Sequence, residues 1–180
     1  MKEKSYKFDL FQSKDVRDRV RCLNSYSVLS GITIDVPVTI EGTQNWAESL
    51  SGRHGRKDFV LRDEQGQAVA FSGLVNISHK NGIAELYAFV DDSQQGQGAG
   101  TLLLECTLKY AADELNLRKI SLYATEGNEV AVSFYKKIGF KLEGQLKKHL
   151  WHRGEFRDRY IFSIFLSDFE SDLNVYTHFQ

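Results

Sequence analysis

Three alternating glycines form the stretch of this sequence with the clearest chemical signature. Gly96, Gly98 and Gly100 follow an apolar segment that ends at Val90 and precede a leucine-rich segment that begins at Leu102. Glycine lets a backbone approach a ligand closely, and the first turn of a helix offers unpaired N–H groups with partial positive charge. A strand, a glycine loop and a helix start in this order predict a site for a phosphate or pyrophosphate.

Spacing excludes two common glycine loops. The dinucleotide fingerprint G-x-G-x-x-G fails because Thr101 stands at the third glycine when counting starts at Gly96, and Leu103 stands there when it starts at Gly98. The P-loop fails because no Gly-Lys-Ser/Thr follows. A turn that only reverses the chain is the remaining alternative, but such a turn seldom needs three glycines before a helix.

The glycine loop and a second segment together resemble the GNAT superfamily of acyl-CoA-dependent N-acyltransferases. Gln95-Gly96-Gln97-Gly98-Ala99-Gly100 resembles the Q/R-x-x-G-x-G/A loop of that superfamily, and the segment 128–140 resembles its N-x-x-A-x-x-x-Y-x-K-x-G-F helix. Gly144 and the segment 154–158 are similar to the branch that contains spermidine acetyltransferases and ribosomal-protein N-terminal acetyltransferases.

The resemblance implies acetyl-CoA as co-substrate, and no metal is expected because the histidines show no metal-ligand spacing. It places the pyrophosphate on the backbone N–H groups of the glycine loop and the pantetheine arm between the strand that ends at Val90 and the strand at 119–124. The residues expected to contact the cofactor are Ala88, Phe89, Val90, Gln95, Gly96, Gln97, Gly98, Ala99, Gly100, Thr101, Asn128 and Lys137. Lys137 would reach the adenosine 3′-phosphate; the alternative is an ordinary exposed helix lysine.

The resemblance also implies that Tyr135 donates a proton to the departing CoA thiolate. A phenol with a reference pKa of about 10 is protonated at neutral pH and can act as an acid. The alternative is that Tyr135 only packs with Phe134.

The attacking amine has to lose its proton, which costs about 4.6 kcal/mol at pH 7 for a lysine-like amine of pKa about 10.4 and about 1 kcal/mol for an α-amine of pKa about 7.8. Glu85 is the candidate base, because it shares a strand face with Tyr87 and Phe89 and apolar surroundings would raise its pKa. A solvent-facing glutamate, with ordered water carrying the proton, is the alternative.

Charge around the expected acceptor region points in two directions. The basic segment 147–153, with Arg157 and Arg159, is either a solvated hairpin or the wall of a site for a negatively charged acceptor, in which Trp151 would stack. Carboxylates that could instead attract a polycation are those of Asp35, Glu41 and Glu48. The acceptor is therefore left open between a polyamine, an amino sugar, another small amine and a protein N-terminus. A non-catalytic acyl-CoA-binding or protein-interaction module is the alternative function.

Composition narrows the class of protein. The chain has 180 residues, 23 basic and 24 acidic side chains and a net charge of −1, which argues against a general nucleic-acid binder. Cys22 and Cys106 lie far apart, the histidines show no metal-ligand spacing, and no apolar run approaches the roughly 20 residues of a membrane span. We therefore expect a cytoplasmic protein with a single domain over 1–166, a polar tail over 167–180 and the ability to form a homodimer.

These residues are positioned by a predicted succession of helices and strands. Apolar periodicity and turn residues predict helices at 13–29, 39–50, 98–115 and 128–138 and strands at 58–62, 67–77, 83–90, 119–124, 140–152 and 156–166. Antiparallel hairpins followed by a strand–helix–strand unit predict a mixed α/β fold of the GNAT type. Its mostly antiparallel twisted sheet would carry one parallel pair and be flanked by helices.

Overall fold

The structure, a computed structural model, describes residues 5–31, 37–50, 52, 54–152 and 154–171. The helices are α1 (Val16–Leu23), α2 (Tyr26–Gly31), α3 (Ile40–Ser49), α4 (Ala99–Asp113) and α5 (Glu129–Ile138). The strands are β1 (Lys7–Leu10), β2 (Lys57–Arg62), β3 (Ala68–Ser78), β4 (Ile83–Val90), β5 (Lys119–Thr125), β6 (Lys141–His152) and β7 (Glu155–Phe165). Short 3₁₀ turns lie at Ser13–Asp15, Asp92–Gln94 and Leu166–Asp168.

The seven strands form one mixed sheet in the order β1-β2-β3-β4-β5-β7-β6. Only the central pair β4–β5 is parallel, and every other neighbouring pair is antiparallel. This confirms the predicted mixed sheet. The parallel pairing runs only from Ile83↔Lys119 to Glu85↔Ser121, although both strands continue beyond it. The second half of β4 therefore has an unpaired edge toward β5.

Helices cover the two faces of this sheet. On one face α4 contributes Leu103, Leu104 and Leu108 to the larger core cluster, which also contains the buried Tyr135 of α5. On the other face α1 and α2 contribute to a smaller cluster with residues of β2, β3 and β4. Because β3 is covered on both sides, its first seven residues are all buried.

The N-terminal region differs most from the prediction. β1 was not predicted; it is a four-residue strand at the sheet edge that gains its partner only when β2 is in place. The single helix predicted over 13–29 is a 3₁₀ turn followed by α1 and α2. The break falls at Asn24, whose side-chain amide donates to the Val38 carbonyl oxygen (2.8 Å) and accepts from the Val38 N–H (3.2 Å). Those side-chain bonds tether the chain to a distant segment at the break between the helices.

The C-terminal end is only partly described. Phe169 packs against the larger core cluster, whereas residues 172–180 of the predicted polar tail lie outside the described part of the chain. None of the described helices is long and apolar enough to cross a membrane.

Candidate active site

The glycine loop has the backbone geometry that the sequence suggested. Gly96 and Gly98 have φ angles of 70° and 86°, in the left-handed region that side chains disfavour. A Cβ atom added at either position would have no neighbour within 4 Å, so both glycines face open space. Gly98 is the N-cap residue of α4, and no side chain caps that helix.

Five backbone N–H groups of this segment donate no hydrogen bond within the described chain. They belong to Gly96, Gly98, Ala99, Gly100 and Thr101. The N–H groups of Gln95 and Gln97 instead donate to the carbonyl oxygens of Asp92 (3.4 Å) and Gln94 (3.3 Å), so they are already used inside the loop. Unpaired donors at a helix N-terminus, next to left-handed residues, form an anion-binding concavity. The segment therefore fits a pyrophosphate.

The strand that leads into the loop presents free backbone groups beside it. The Asp91 N–H donates to the Val69 carbonyl oxygen (2.8 Å), and Phe71 lies opposite Phe89 in the same register. Backbone polar groups alternate in direction along an antiparallel strand, so those of Ala88 and Val90 point away from β3. They face the gap where β4 and β5 have separated. An extended ligand that contains amide groups fits such an edge.

Gly100 and Asn128 connect the loop to α5. A Cβ at Gly100 would lie 3.4 Å from both Phe134 Cζ and Val90 Cγ2, so the missing side chain allows α4, α5 and β4 to meet there. Asn128 caps α5, with its Oδ1 accepting from the Ala131 N–H (3.1 Å). Lys137 is exposed in the last turn of α5, at the opposite end of that helix from Asn128.

The two predicted catalytic residues belong to opposite faces of the sheet. Tyr135 packs between Phe134 and Phe140 on the α4–α5 face, and burial raises the pKa of its phenol to about 12. Glu85 lies half-buried on the other face, where its Oε2 accepts from the Asn76 amide (3.3 Å). Burial lowers the pKa of Arg159, and the charge of Glu85 opposes that shift. The surroundings of Glu85 are thus partly polar, where the sequence suggested apolar ones.

A buried polar cluster on the Glu85 face was missed by the sequence analysis. Asp58 accepts from Arg56 Nε (2.7 Å) and Nη2 (2.8 Å), and it also accepts from the Tyr87 hydroxyl. Burial raises the pKa of Tyr87 to about 12, with Arg19 opposing that shift and Asp58 reinforcing it. A Cβ at Gly73 would lie only 2.2 Å from Tyr87 Cε1, so a glycine inside a buried strand was the available signal.

Arg19 lies in the same region, within a group of rings that we call the aromatic cluster. Its Cζ is 4.2 Å from the centroid of Trp46 and 5.1 to 5.8 Å from the other four rings. The five rings are those of Phe11, Trp46, Phe71, Tyr87 and Phe89. The buried residues of α1 are Val16, Arg19, Cys22 and Leu23.

Two basic side chains of the hairpin formed by β6 and β7 pair with its own acids. Asp158 accepts from Lys147 Nζ (2.8 Å), and Arg157 pairs with Glu155. Trp151, 61% exposed, packs edge-on against Phe156. Of the acids considered for a polycation, Glu41 and Glu48 are exposed on α3, whereas Asp35 lies outside the described residues, as does Arg153. No group of three potential metal ligands occurs among the described residues.

Comparison with known proteins defines the class of this chain. Residues 29–140 match the profile of the Acetyltransferase (GNAT) family, so the chain belongs to that family. This confirms the resemblance that the glycine loop and the segment 128–140 indicated.

Two curated relatives and one solved structure illustrate the similarity. The chain is 31% identical over 100 residues to the spermidine N(1)-acetyltransferase of Escherichia coli K12, an alignment that covers 56% of this chain and only 54% of that enzyme. It is 28% identical over 120 residues to the L-amino acid N-acetyltransferase AaaT of the same strain, which covers 64% of this chain and 72% of that enzyme. The crystal structure of a Vibrio cholerae spermidine N-acetyltransferase in complex with CoA and spermine matches with a TM-score of 0.84 at 23% identity, over 90% of this chain and 96% of that one. That similarity confirms the predicted fold.

Proposed function

We propose that this protein transfers the acetyl group of acetyl-CoA to a primary amine by direct attack in a ternary complex. The observation that carries the proposal is the set of five unpaired N–H groups at the glycine loop, next to the open edge of β4. Membership in the family supports acetyl-CoA as the co-substrate. Relatives whose names specify acetyl transfer to spermidine and to L-amino acids support an amine as the acceptor.

Several residues would hold the cofactor, which when bound supplies an acetyl group activated as a thioester. The N–H groups from Gly96 to Thr101, without Gln97, would hold the pyrophosphate, and the Thr101 hydroxyl would add a donor. The backbone of Ala88 and Val90 would bind the amide groups of the pantetheine arm. Because Asn128 Oδ1 already caps α5, its Nδ2 group is the part that would serve the arm. Lys137 would approach the 3′-phosphate.

Tyr135 and Glu85 would handle protons from the two sides of the sheet. Tyr135 holds a proton on its hydroxyl and would release it to the leaving sulfur, because a pKa of about 12 keeps the phenol neutral at physiological pH. Glu85, or water that it orders, would accept the proton of the attacking amine. Asn76 donates to the Glu85 carboxylate and Arg159 lies near it, so this candidate base has polar neighbours beside the site.

Further properties follow as parts of the same proposal. We infer a single catalytic domain over 1–166, a cytoplasmic location and no requirement for a metal. Self-association would use the exposed edge strand β6. The acceptor belongs to the class of primary amines, and the relatives alone do not choose between a polyamine, an amino acid, an amino sugar and a protein N-terminus.

Calorimetry and a thiol assay test the proposal together. CoA should bind with a stoichiometry of one per chain, and acetyl-CoA should release free thiol only when an accepted amine is present. Failure of CoA to bind would overturn the proposal. Binding of CoA without turnover of any amine, and with no effect of Tyr135→Phe, would support the non-catalytic alternative.

A further inference from the structure

Arg19 is a buried cation without a partner in the described chain. The residue is only 9% exposed, yet it makes no hydrogen bond or ion pair with any described residue. Burying a charge is costly unless it is paired, and the rings around Arg19 compensate only in part through cation–π attraction. Two arginine nitrogens among the described residues are fully buried without a hydrogen bond, and neither belongs to Arg19. The guanidinium therefore keeps an accessible edge.

The rings around Arg19 leave its donors free. Trp46 lies 4.2 Å from Cζ, the distance of a ring stacked on the flat side of a guanidinium. The five N–H groups of arginine lie in the guanidinium plane and form a fork that matches a carboxylate. Aromatic rings can hold the plane in place, but they do not satisfy these donors as an oxygen acceptor would. The guanidinium of Arg19 is therefore held in place with its N–H donors available to a planar anion such as a carboxylate.

The charges around Arg19 disfavour a second cation. Arg56 is held by Asp58, and Arg159 lies in the field of Glu85, so these two carboxylates already face guanidinium groups. Arg19 makes no ion pair with a described carboxylate, whereas Arg56 pairs with Asp58. A polyamine would bring two or more positive charges next to three arginines and only two neighbouring carboxylates among the described residues, those of Asp58 and Glu85.

The neighbouring cavity carries the same sign of charge. A cavity of about 580 Å³ adjoins the cluster through Arg56 and Asp58. Its other polar lining residues are His54, Lys57 and His79, none of which has a carboxylate side chain. A negatively charged group bound in this cavity would therefore meet no carboxylate among its lining residues other than that of Asp58.

We propose that the acetyl acceptor is a primary amine that carries a carboxylate, and that Arg19 binds this carboxylate. The assignment rests on the proposed acetyltransferase function and specifies its substrate class. Arg19 lies 5.1 Å from the ring of Phe89, which belongs to the strand whose backbone edge would bind the cofactor. An amine bound through its carboxylate at Arg19 would therefore lie on the Glu85 face, next to the reacting end of β4.

Matched amines test this assignment. The thiol-release assay is run with 4-aminobutanoate, an α-amino acid set and the carboxamide of each, together with 1,4-diaminobutane. A charge-assisted bidentate pair predicts that at least one carboxylate has a kcat/KM about 10- to 100-fold above its amide. Arg19→Gln should abolish this preference by raising KM for the carboxylate, with little effect on kcat or on the amide, and Arg19→Lys should restore part of it.

The controls separate a binding role from a structural one. Arg17→Gln removes the same charge from an exposed position of the same helix and should leave the preference unchanged. Equal or better use of amides or of the diamine, or an equal loss for carboxylate and amide in Arg19→Gln, would overturn the assignment. If no amine is acetylated, the proposed function fails. Calorimetric binding of the carboxylates to wild type and Arg19→Gln then still decides whether Arg19 binds them.

Discussion

The Tyr135 hydroxyl combines burial with a lack of partners in the described chain. The residue is 9% exposed, lies between two aromatic rings, and its hydroxyl makes no hydrogen bond to a described residue. Burial disfavours the charged phenolate, which is why its pKa rises to about 12. A group of this kind stays protonated throughout the pH range in which proteins work. It can therefore serve as an acid without needing a second residue to protonate it.

The pH profile tests this role of Tyr135. The active form is the protonated phenol, which is lost only as the pH rises through about 12. The kcat/KM should therefore rise with pH up to the pKa of the acceptor amine. At any pH lower than about 10, it should show no decline with increasing pH. A descending limb near pH 8 that disappears in Tyr135→Phe would contradict the assignment.

Replacing the phenol tests its contribution directly. Tyr135→Phe removes only the hydroxyl and should lower kcat by about 100-fold, the low end of the range for general acid catalysis. The Kd of CoA and the melting temperature should stay close to those of wild type, because the ring packing is kept. An unchanged kcat would show that the proton comes from elsewhere.

Strand β4 organises the site at the scale of secondary structure. The side chains of Glu85, Tyr87 and Phe89 point to the face covered by α1 to α3. The backbone polar groups of Ala88 and Val90 face the gap beside β5. The end of β4 leads into the glycine loop, which connects it to α4. In the proposed reaction this one strand would supply the acceptor face, the cofactor edge and the entry to the anion site. Its early separation from β5 makes all three accessible at one place.

A glycine substitution in the loop tests the anion site. Gly98→Ala forces a side chain into a left-handed conformation, which costs about 1 to 2 kcal/mol and displaces the first N–H groups of α4. We expect a lower melting temperature and a Kd for CoA raised by about tenfold or more, as the loss of one N–H contact to a charged group would give. Gly144→Ala is the matched control, since Gly144 is in β6 with no neighbour near its Cβ position and no positive φ. Equal CoA affinity in both variants would contradict the site.

Sequence patterns predicted the elements whose signals are local and missed those set by distant contacts. The helices α4 and α5 were predicted because their apolar periodicity and glycine boundaries lie within one segment. β1 was missed because four residues at a sheet edge carry no pattern until β2 pairs with them. The break at Asn24 was missed because it depends on Val38, a residue 14 positions away.

The residues of the candidate site also fall into those with a local sequence signal and those set by distant contacts. Gly96 to Thr101, Asn128 and Tyr135 could be named because their spacing follows a family motif. Arg19 could not, since an arginine in an amphipathic helix is normally exposed, and its burial depends on rings from α3, β3 and β4. Local apolar periodicity does not predict the burial of a polar residue that is enclosed by tertiary contacts.

At the scale of the whole molecule, the sheet ends in an exposed edge at β6. The N–H and C=O groups of an edge strand can pair with another chain, and β6 also exposes Leu142 and Trp151, with Phe156 beside the latter. A net charge of −1 offers little long-range repulsion between copies. These features favour association of the protein with itself through this edge.

Sedimentation tests that association. Wild type should sediment as a homo-oligomer at micromolar concentration, and the double variant Trp151→Ser with Phe156→Ser should shift toward monomer, because both apolar side chains would leave the interface. The control Val130→Ser changes another exposed apolar residue on α5 and should not alter the oligomeric state. A monomeric wild type across the concentration range would refute the prediction.

The central proposal is that this molecule binds an acyl-CoA at the glycine loop and passes its acetyl group to an amine. The most direct measurement is the stoichiometry of a single reaction, with free thiol and acetylated amine quantified together by absorbance and mass spectrometry. We predict one acetylated amine for each thiol released, and no thiol above background without the amine. Thiol release that does not depend on any amine, or no reaction and no CoA binding at all, would contradict it.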